Sequence, residues 1–396
     1  MARESAGMGT RFLLGPLSKT GNEHPRFEQL VQWYRHNVEV RDVRGAERVL
    51  LTAIESGATT EALNEMMMTA ITDHFYMNTG HTLDFHNKAF EILEHIGDEH
   101  RPYVLTSLLP ELANAPRSEE LHSWQAPVDL VQPLHEVFEK LPDLLHRQPS
   151  PAQLSVGNET IVQQLLSDNP LETDNLLLQV LKEGMTPVRL AQIVTLAAAE
   201  RIARFHVQND MWDWITVLHT FTHAHAVHEA LKRSASPELT RSIFHTAMSI
   251  YLDRFLNIPA ARRPNGDPHA VDPNQPEALL ALLNQQQQTD QAGKWVMNYL
   301  AAGGDKAALF NTLGHALLRE DAEFHSFQMY EAAVKEYEEW AKEKTAFAHY
   351  TQETLILAVT RYLAAHAPTH RETTHTAHIA MRLQRGDNLF KDDSAV

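Results

Sequence analysis

Leu218-His-Thr-Phe-Thr-His-Ala-His-Ala-Val-His-Glu-Ala-Leu231 places four histidines, His219, His223, His225 and His228, in a run that is otherwise mostly apolar and free of proline and glycine. The run reads as helix. At about 100° per residue, with His219 at about 0°, His223 falls near 40°, whereas His225 and His228 fall near 240° and 180°. Trp214, Val217, Leu218 and Phe221 occupy about 160° to 260° of the same wheel. The apolar face therefore takes His225 and His228, and the wetter face takes His219 and His223. A core imidazole must be hydrogen-bonded or bound to something, because an unpaired buried polar group costs about 1 to 3 kcal/mol.

Outward from this run, apolar residues recur three and four apart from Phe27 onward, β-branched runs are scarce and strand-like alternation is absent. The pattern predicts an all-α protein. Thr59 or Thr60 is expected to cap a helix through Met66, Met67 and Met68 to Asp73 and His74, with Asn78-Thr79-Gly80 as its break. A second helix carries His81, Asp84, His86 and Glu91 to a terminal Gly97. Ser118 reads as the cap of a helix starting in Arg117 to Glu120, and Thr186 as a cap with Pro187 at the first helical position.

A repeat runs through these starts. Leu63 and Asp73 follow Gly57 at the spacing with which Leu190 and Glu200 follow Gly184, and a slipped copy begins at Gly303 with Leu309 and Glu320. Each copy precedes a histidine-bearing helix. The expected architecture is a single all-α domain over 1–396, an antiparallel array of three related helical units (about 27–150, 151–258 and 290–384) around a histidine-lined pocket. The Pro-, Asn- and Gln-rich segment 258–292 should be a long loop with a short helix, residues 1 to about 25 extended, and 385–396 a flexible tail.

Composition narrows the chemistry. Lys and Arg number 34 against 51 Asp and Glu, a net charge of -17, which disfavours nucleic acid and anionic membrane surfaces as partners. There is no cysteine, so disulfides, thiolate metal sites, iron–sulfur clusters and cysteine nucleophiles are excluded. No signal peptide or run of membrane-spanning length stands out, and a cytoplasmic location is expected. The 24 histidines point to metal or acid–base chemistry on a small molecule.

A short pattern, an acid or His, one residue, then His, recurs as Asp84-Phe-His86, His223-Ala-His225 and Glu323-Phe-His325. On continuous helices the second members face inward, and the first members lie about 200° away, too far around to join them. His86, His225, His228 and His325 are thus the expected cofactor or metal ligands, with Glu200 and Asp73 as carboxylate ligands or proton acceptors. His81, His219 and His223 would move protons or orient substrate. Such a nitrogen and oxygen set suits iron or haem, and also copper or zinc. The competing reading has Glu200 paired with an arginine and the histidines bonded to backbone carbonyls. His74, His81 and Asp84 read as a solvated stripe; His245 and His349 as structural; and His366, His370, His375 and His378 as surface. No zinc-peptidase helix, nucleophile elbow, phosphate loop, or flavin or nicotinamide motif is visible.

Two resemblances bear on function. The Gly, capped helix and acid of each repeat are similar in outline to the carboxymuconolactone-decarboxylase and alkylhydroperoxidase-D-like helical unit, whose peroxidase members work through the cysteines this chain lacks. Residues 27–365 resemble the histidine-rich all-α questin-oxidase-like family, and Rieske-associated helical domains, in GHTLDFHNKAFEILEHIG, VLTSLLPELANAPRSEE, WQAPVDL, LHTFTHAHAVHEAL and EFHSFQMYEAA. That likeness implies an oxidase or oxygenase acting on an aromatic or polyketide-like metabolite, with electrons from a separate donor protein. The leading expectation is a metal- or haem-dependent oxidoreductase; the alternatives are a cofactor-free acid–base enzyme on an aromatic substrate and a non-enzymatic helical binding scaffold.

Overall fold

The computed structural model describes residues 13–17, 25–145 and 154–387. Among them every regular element is a helix and no strand occurs, so the protein is all-α. They form two compact units, residues 1–195 with 222–252 and residues 196–221 with 253–396. The three-unit organisation is not confirmed, although its local signature is present. Gly57, Gly184 and Gly303 all adopt positive φ, at 81°, 105° and 80°. Each ends a helix in the left-handed conformation that glycine tolerates best, and a capped helix follows.

In the first unit, Asp42 caps the Val43–Glu55 helix through Gly45 N, and Thr59 Oγ1 accepts from Ala62 N at 3.2 Å to start Thr60–Thr72. Leu63, Met66, Met67 and Met68 of that helix are wholly buried, so the methionines are core filler. The helix stops at Thr72, before Asp73 and His74, and His81–Ile96 follows, closed by Gly97 at φ 100°. Thr186 Oγ1 accepts from Arg189 N at 3.2 Å where the Pro187–Ala203 helix begins.

The second unit is built on Ala346–His366, which packs against Thr289–Ala301 and Phe324–Ala341. Its residues 354–364 are buried on every side. The run Leu-Ile-Leu-Ala-Val-Thr-Arg-Tyr-Leu is apolar around most of the helix, the pattern of a central core helix rather than a surface one. Its one charge, Arg361, is 1% exposed and held by Asp290 at 2.6 Å and the Phe205 carbonyl at 2.8 Å.

Three local expectations differ from the structure. Ser118 does not cap a helix: 118–120 is a 3-10 turn, and the Ser118 hydroxyl donates to the Tyr76 carbonyl at 3.1 Å. The Met211–Arg233 helix is not amphipathic beyond Thr220, because every residue from Phe221 to His228 is buried. His223, expected on the wetter face, is 2% exposed. The 258–292 loop is shorter than expected, since Thr289–Ala301 starts inside it after the short Leu279–Leu282 helix. Most of 1–25, the 146–153 connection and residues 388–396 of the tail lie outside the described residues.

Candidate active site

In the second unit, His219 on the Met211–Arg233 helix and His325 on the Phe324–Ala341 helix meet with their Nε2 atoms 3.0 Å apart. Glu323 Oε1 lies 2.9 Å from His325 Nδ1. Glu323 caps the Phe324–Ala341 helix in extended conformation, φ -93° and ψ 175°, so it sits outside the helical wheel. A continuous wheel sets it far around from His325; as a cap residue it folds back onto the ring. With Nδ1–H donating to this carboxylate, the other ring nitrogen, Nε2, is the one that meets His219. His325 is 8% exposed and His219 is half-buried.

Glu323 also lines a cavity of about 100 Å³, walled by Leu283, Ala316, Leu317, Leu363 and Ala367 together with Met211 and Ala322. His366 and Ser326 supply further polar groups. His366 Nδ1 donates to the Tyr362 carbonyl at 2.7 Å, and burial lowers its pKa. The Tyr362 ring lies tilted against it with centroids 4.2 Å apart, and burial, with Glu323 nearby, raises the Tyr362 pKa. His366 was expected on the surface. It lies on a stripe with Tyr362, Val359 and Leu355, four, seven and eleven residues back, a helical signal the sequence did contain.

In the first unit a second cluster forms around a strained turn. Tyr76, Asn78 and Thr79 have φ of 41°, 48° and 54°, and Gly80 follows at 91°. Non-glycine residues in this region cost free energy and persist only where their surroundings over-determine them. Here the residues 116–119 do so. Asn78 N donates to Pro116 O at 2.8 Å, Ser118 N to Phe75 O at 3.0 Å, and Phe75 N to Glu119 Oε2 at 2.8 Å. His74 adds Glu119 and Glu39, each 2.7 Å from one of its ring nitrogens, so it is not solvated as expected.

Behind the turn, His223 Nδ1 donates to the Gly80 carbonyl at 3.3 Å and its ring meets Tyr76 edge-on at 4.9 Å. His245 lies 4.9 Å from Phe75 and 5.3 Å from Phe138, ring to ring. Burial drives the pKa of His223 down to about 4, and burial with the neighbouring His223 and Arg241 drives that of His245 well below the usual value. Both imidazoles are neutral, and both Nε2 atoms are buried without a hydrogen-bond partner. A Cβ on Gly80 would sit 2.9 Å from His223 Cβ at a φ of +91°. Gly80→Ala is therefore expected to destabilise the protein by roughly 2–3 kcal/mol, read as a lowered midpoint in urea unfolding; an unchanged midpoint contradicts the packing of this turn.

The other expected site residues have partners or surroundings of their own. Asp73 is held by Arg35 at 2.6 Å and Arg241 at 3.1 Å. Glu200 accepts from Tyr350 and from Thr354 at 3.0 Å, with Arg263 at 3.5 Å. Glu320, at the third repeat's acidic position, is held by Arg371 at 2.8 Å. All three repeat acids thus meet arginine. His86 is fully buried; its Nδ1 donates to the Thr82 carbonyl at 2.6 Å, its Nε2 has no partner, and burial lowers its pKa to about 4. His225 and His228 are buried at 1% and 2% exposure. His81 opens its helix half-buried, stacked on Phe85 at 5.0 Å.

Two imidazole nitrogens bound cis to one six-coordinate ion at about 2.1 Å stand about 3.0 Å apart, so the His219–His325 spacing is that of two nitrogens sharing such an ion as well as that of a hydrogen bond between the rings. The Glu323 contact to the far nitrogen of His325 is the carboxylate–histidine arrangement that orients metal ligands. No family model matches the chain, and no curated protein or solved structure is significantly similar to it.

Proposed function

We propose that the protein is a metal-dependent oxidoreductase whose reacting centre is the His219–His325 pair and whose substrate is a small, largely apolar molecule. The observation that carries this reading is the 3.0 Å separation of the two Nε2 atoms with Glu323 seated on His325 Nδ1. Glu323 fixes the tautomer and orientation of His325, and His219 completes the donor pair. An iron ion bound by the pair would supply the one-electron and dioxygen chemistry that protein side chains alone lack. In this reading reducing equivalents come from the substrate or from a separate donor protein. Asp73 and Glu200 keep their ion pairs and contribute to stability.

The test is dioxygen uptake by the full chain, without an affinity tag, supplied with ferrous iron, a reductant and monocyclic phenols. Uptake that a strong iron chelator abolishes and ferrous iron restores supports the reading. The same contacts also favour a second reading. A chain from Glu323 through His325 to His219 is a hydrogen-bonded relay, able to act as a general base without any cofactor. That reading is the one supported if turnover survives the chelator unchanged.

A further inference from the structure

Two segments of the second unit, 204–212 and 254–262, lie side by side. Ala261 N donates to Arg204 O at 2.8 Å, and Asn209 Nδ2 donates to Leu256 O at 2.7 Å. The two contacts share one antiparallel register, which sets Val207 opposite Ile258 and Met211 beside Arg254 and Phe255. Both segments carry apolar side chains into water. Trp212 and Ile258 are each 72% exposed, the highest values for large apolar side chains among the described residues, and Met211, Phe255 and Val207 are 52%, 48% and 44% exposed. We infer that this apolar ribbon is the contact face of a homodimer, meeting the same ribbon of a second copy of the chain about a two-fold axis.

Area is the first reason. Together the five side chains leave several hundred Å² of apolar surface in water, the size at which an exposed patch marks an interaction site. With the exposed Gln208, Pro259 and Ala260 among them, the face approaches the roughly 800 Å² that each partner gives to a stable interface.

Rigidity is the second. Asp210 Oδ1 accepts from Trp212 N at 2.8 Å and from Asp213 N at 3.0 Å, which fixes Trp212 on the first turn of the Met211–Arg233 helix. Loops already tied together lose little freedom on binding, and an anchored tryptophan is the kind of residue that carries most of an interface's binding energy.

Charge selects the occupant. Two copies of a chain with net charge -17 repel each other except where the local charge is balanced. Here it is. The exposed Arg204 and Arg262, with Arg254 lying 4.5 Å over the Phe255 ring, share the ribbon with Asp210 and Asp213. A face with both signs can pair with itself under two-fold symmetry, arginine of each copy meeting aspartate of the other. An anionic lipid surface would meet the same two aspartates with no counter-charge to offer them.

Sedimentation velocity of the full chain between about 1 and 100 μM, the range in which interfaces of modest size associate, tests the assignment. A concentration-dependent shift from one chain to two is expected. Trp212→Glu and Ile258→Glu should each weaken the dimer roughly thirtyfold or more, the effect of losing a central anchor. Ile92→Glu, at an apolar residue of the first unit that is 49% exposed, should leave it unchanged. All three positions face water, so each variant should keep the native circular dichroism. A chain that stays single across the whole range, a dimer that neither ribbon substitution weakens, or one that Ile92→Glu weakens as much overturns the assignment. So does a single chain that cosediments with vesicles of phosphatidylcholine and phosphatidylserine and loses that binding in Trp212→Glu, which would give the face to lipid.

Discussion

Replacing His325 with alanine is expected to abolish metal retention at the His219–His325 pair, and replacing His219 to do the same, because each removes one of two nitrogens that stand 3.0 Å apart. Glu323→Gln should have an intermediate effect. It keeps a side chain on His325 Nδ1 but removes the charge that raises the basicity of the ring, and losses of this kind are about 10–100-fold in affinity. Each variant should keep its helical circular dichroism, since Glu323 is a half-exposed helix cap and His219 is half-buried. The ordering matters more than the individual values. Alanine at either histidine must cost more than glutamine at Glu323; equal and small effects from all three would show the contacts to be structural only.

Asp174→Asn is expected to stabilise the protein by up to about 4 kcal/mol at pH 7, an effect that vanishes near pH 4. Asp174 is 4% exposed on the Pro170–Lys182 helix, neither of its oxygens has a partner, and burial pushes its pKa up to about 8. A carboxyl with a raised folded pKa costs nothing below its unfolded value of about 3.9, and the cost grows by about 1.4 kcal/mol per pH unit as pH rises toward the folded value. Asparagine is neutral throughout and removes that cost while keeping the shape.

The same unit holds groups of opposite sign. His86 and His223 have pKa values lowered to about 4 by burial, so their unfolded forms bind protons first. Their contribution is fully present above about pH 6.5 and is lost as pH falls toward 4. In the native protein the rising Asp174 contribution offsets part of that loss. In Asp174→Asn the offset is gone, and stability should fall with acid more steeply, by about 1.4 kcal/mol per pH unit. Urea midpoints at pH 4, 5.5, 7 and 8 check both statements; a pH-independent difference between native and variant protein would contradict them.

The helical fold was legible because its signals are local. Thr59, Thr186 and Asp305 each accept a backbone hydrogen bond at a helix start, and a positive-φ glycine precedes each. The centre was legible only in part. The helical period marks His325 as an inward residue but sets Glu323 far from it, because Glu323 caps the helix and does not follow its period. It put His223 near water, because apolar bias was read as marking a single buried face on a helix buried all round from Phe221. Which arginine meets Asp73 or Glu200 depends on residues as distant as Arg241 and Arg263, and no local periodicity encodes such pairs.

The most direct measurement of the central claim is the metal content, by plasma mass spectrometry, of protein prepared without an affinity tag, reconstituted with ferrous iron and desalted. The proposal predicts about one iron per chain in the native protein and a small fraction of that in His219→Ala/His325→Ala. A native protein that retains no metal, or a double variant that retains as much as the native one, contradicts it.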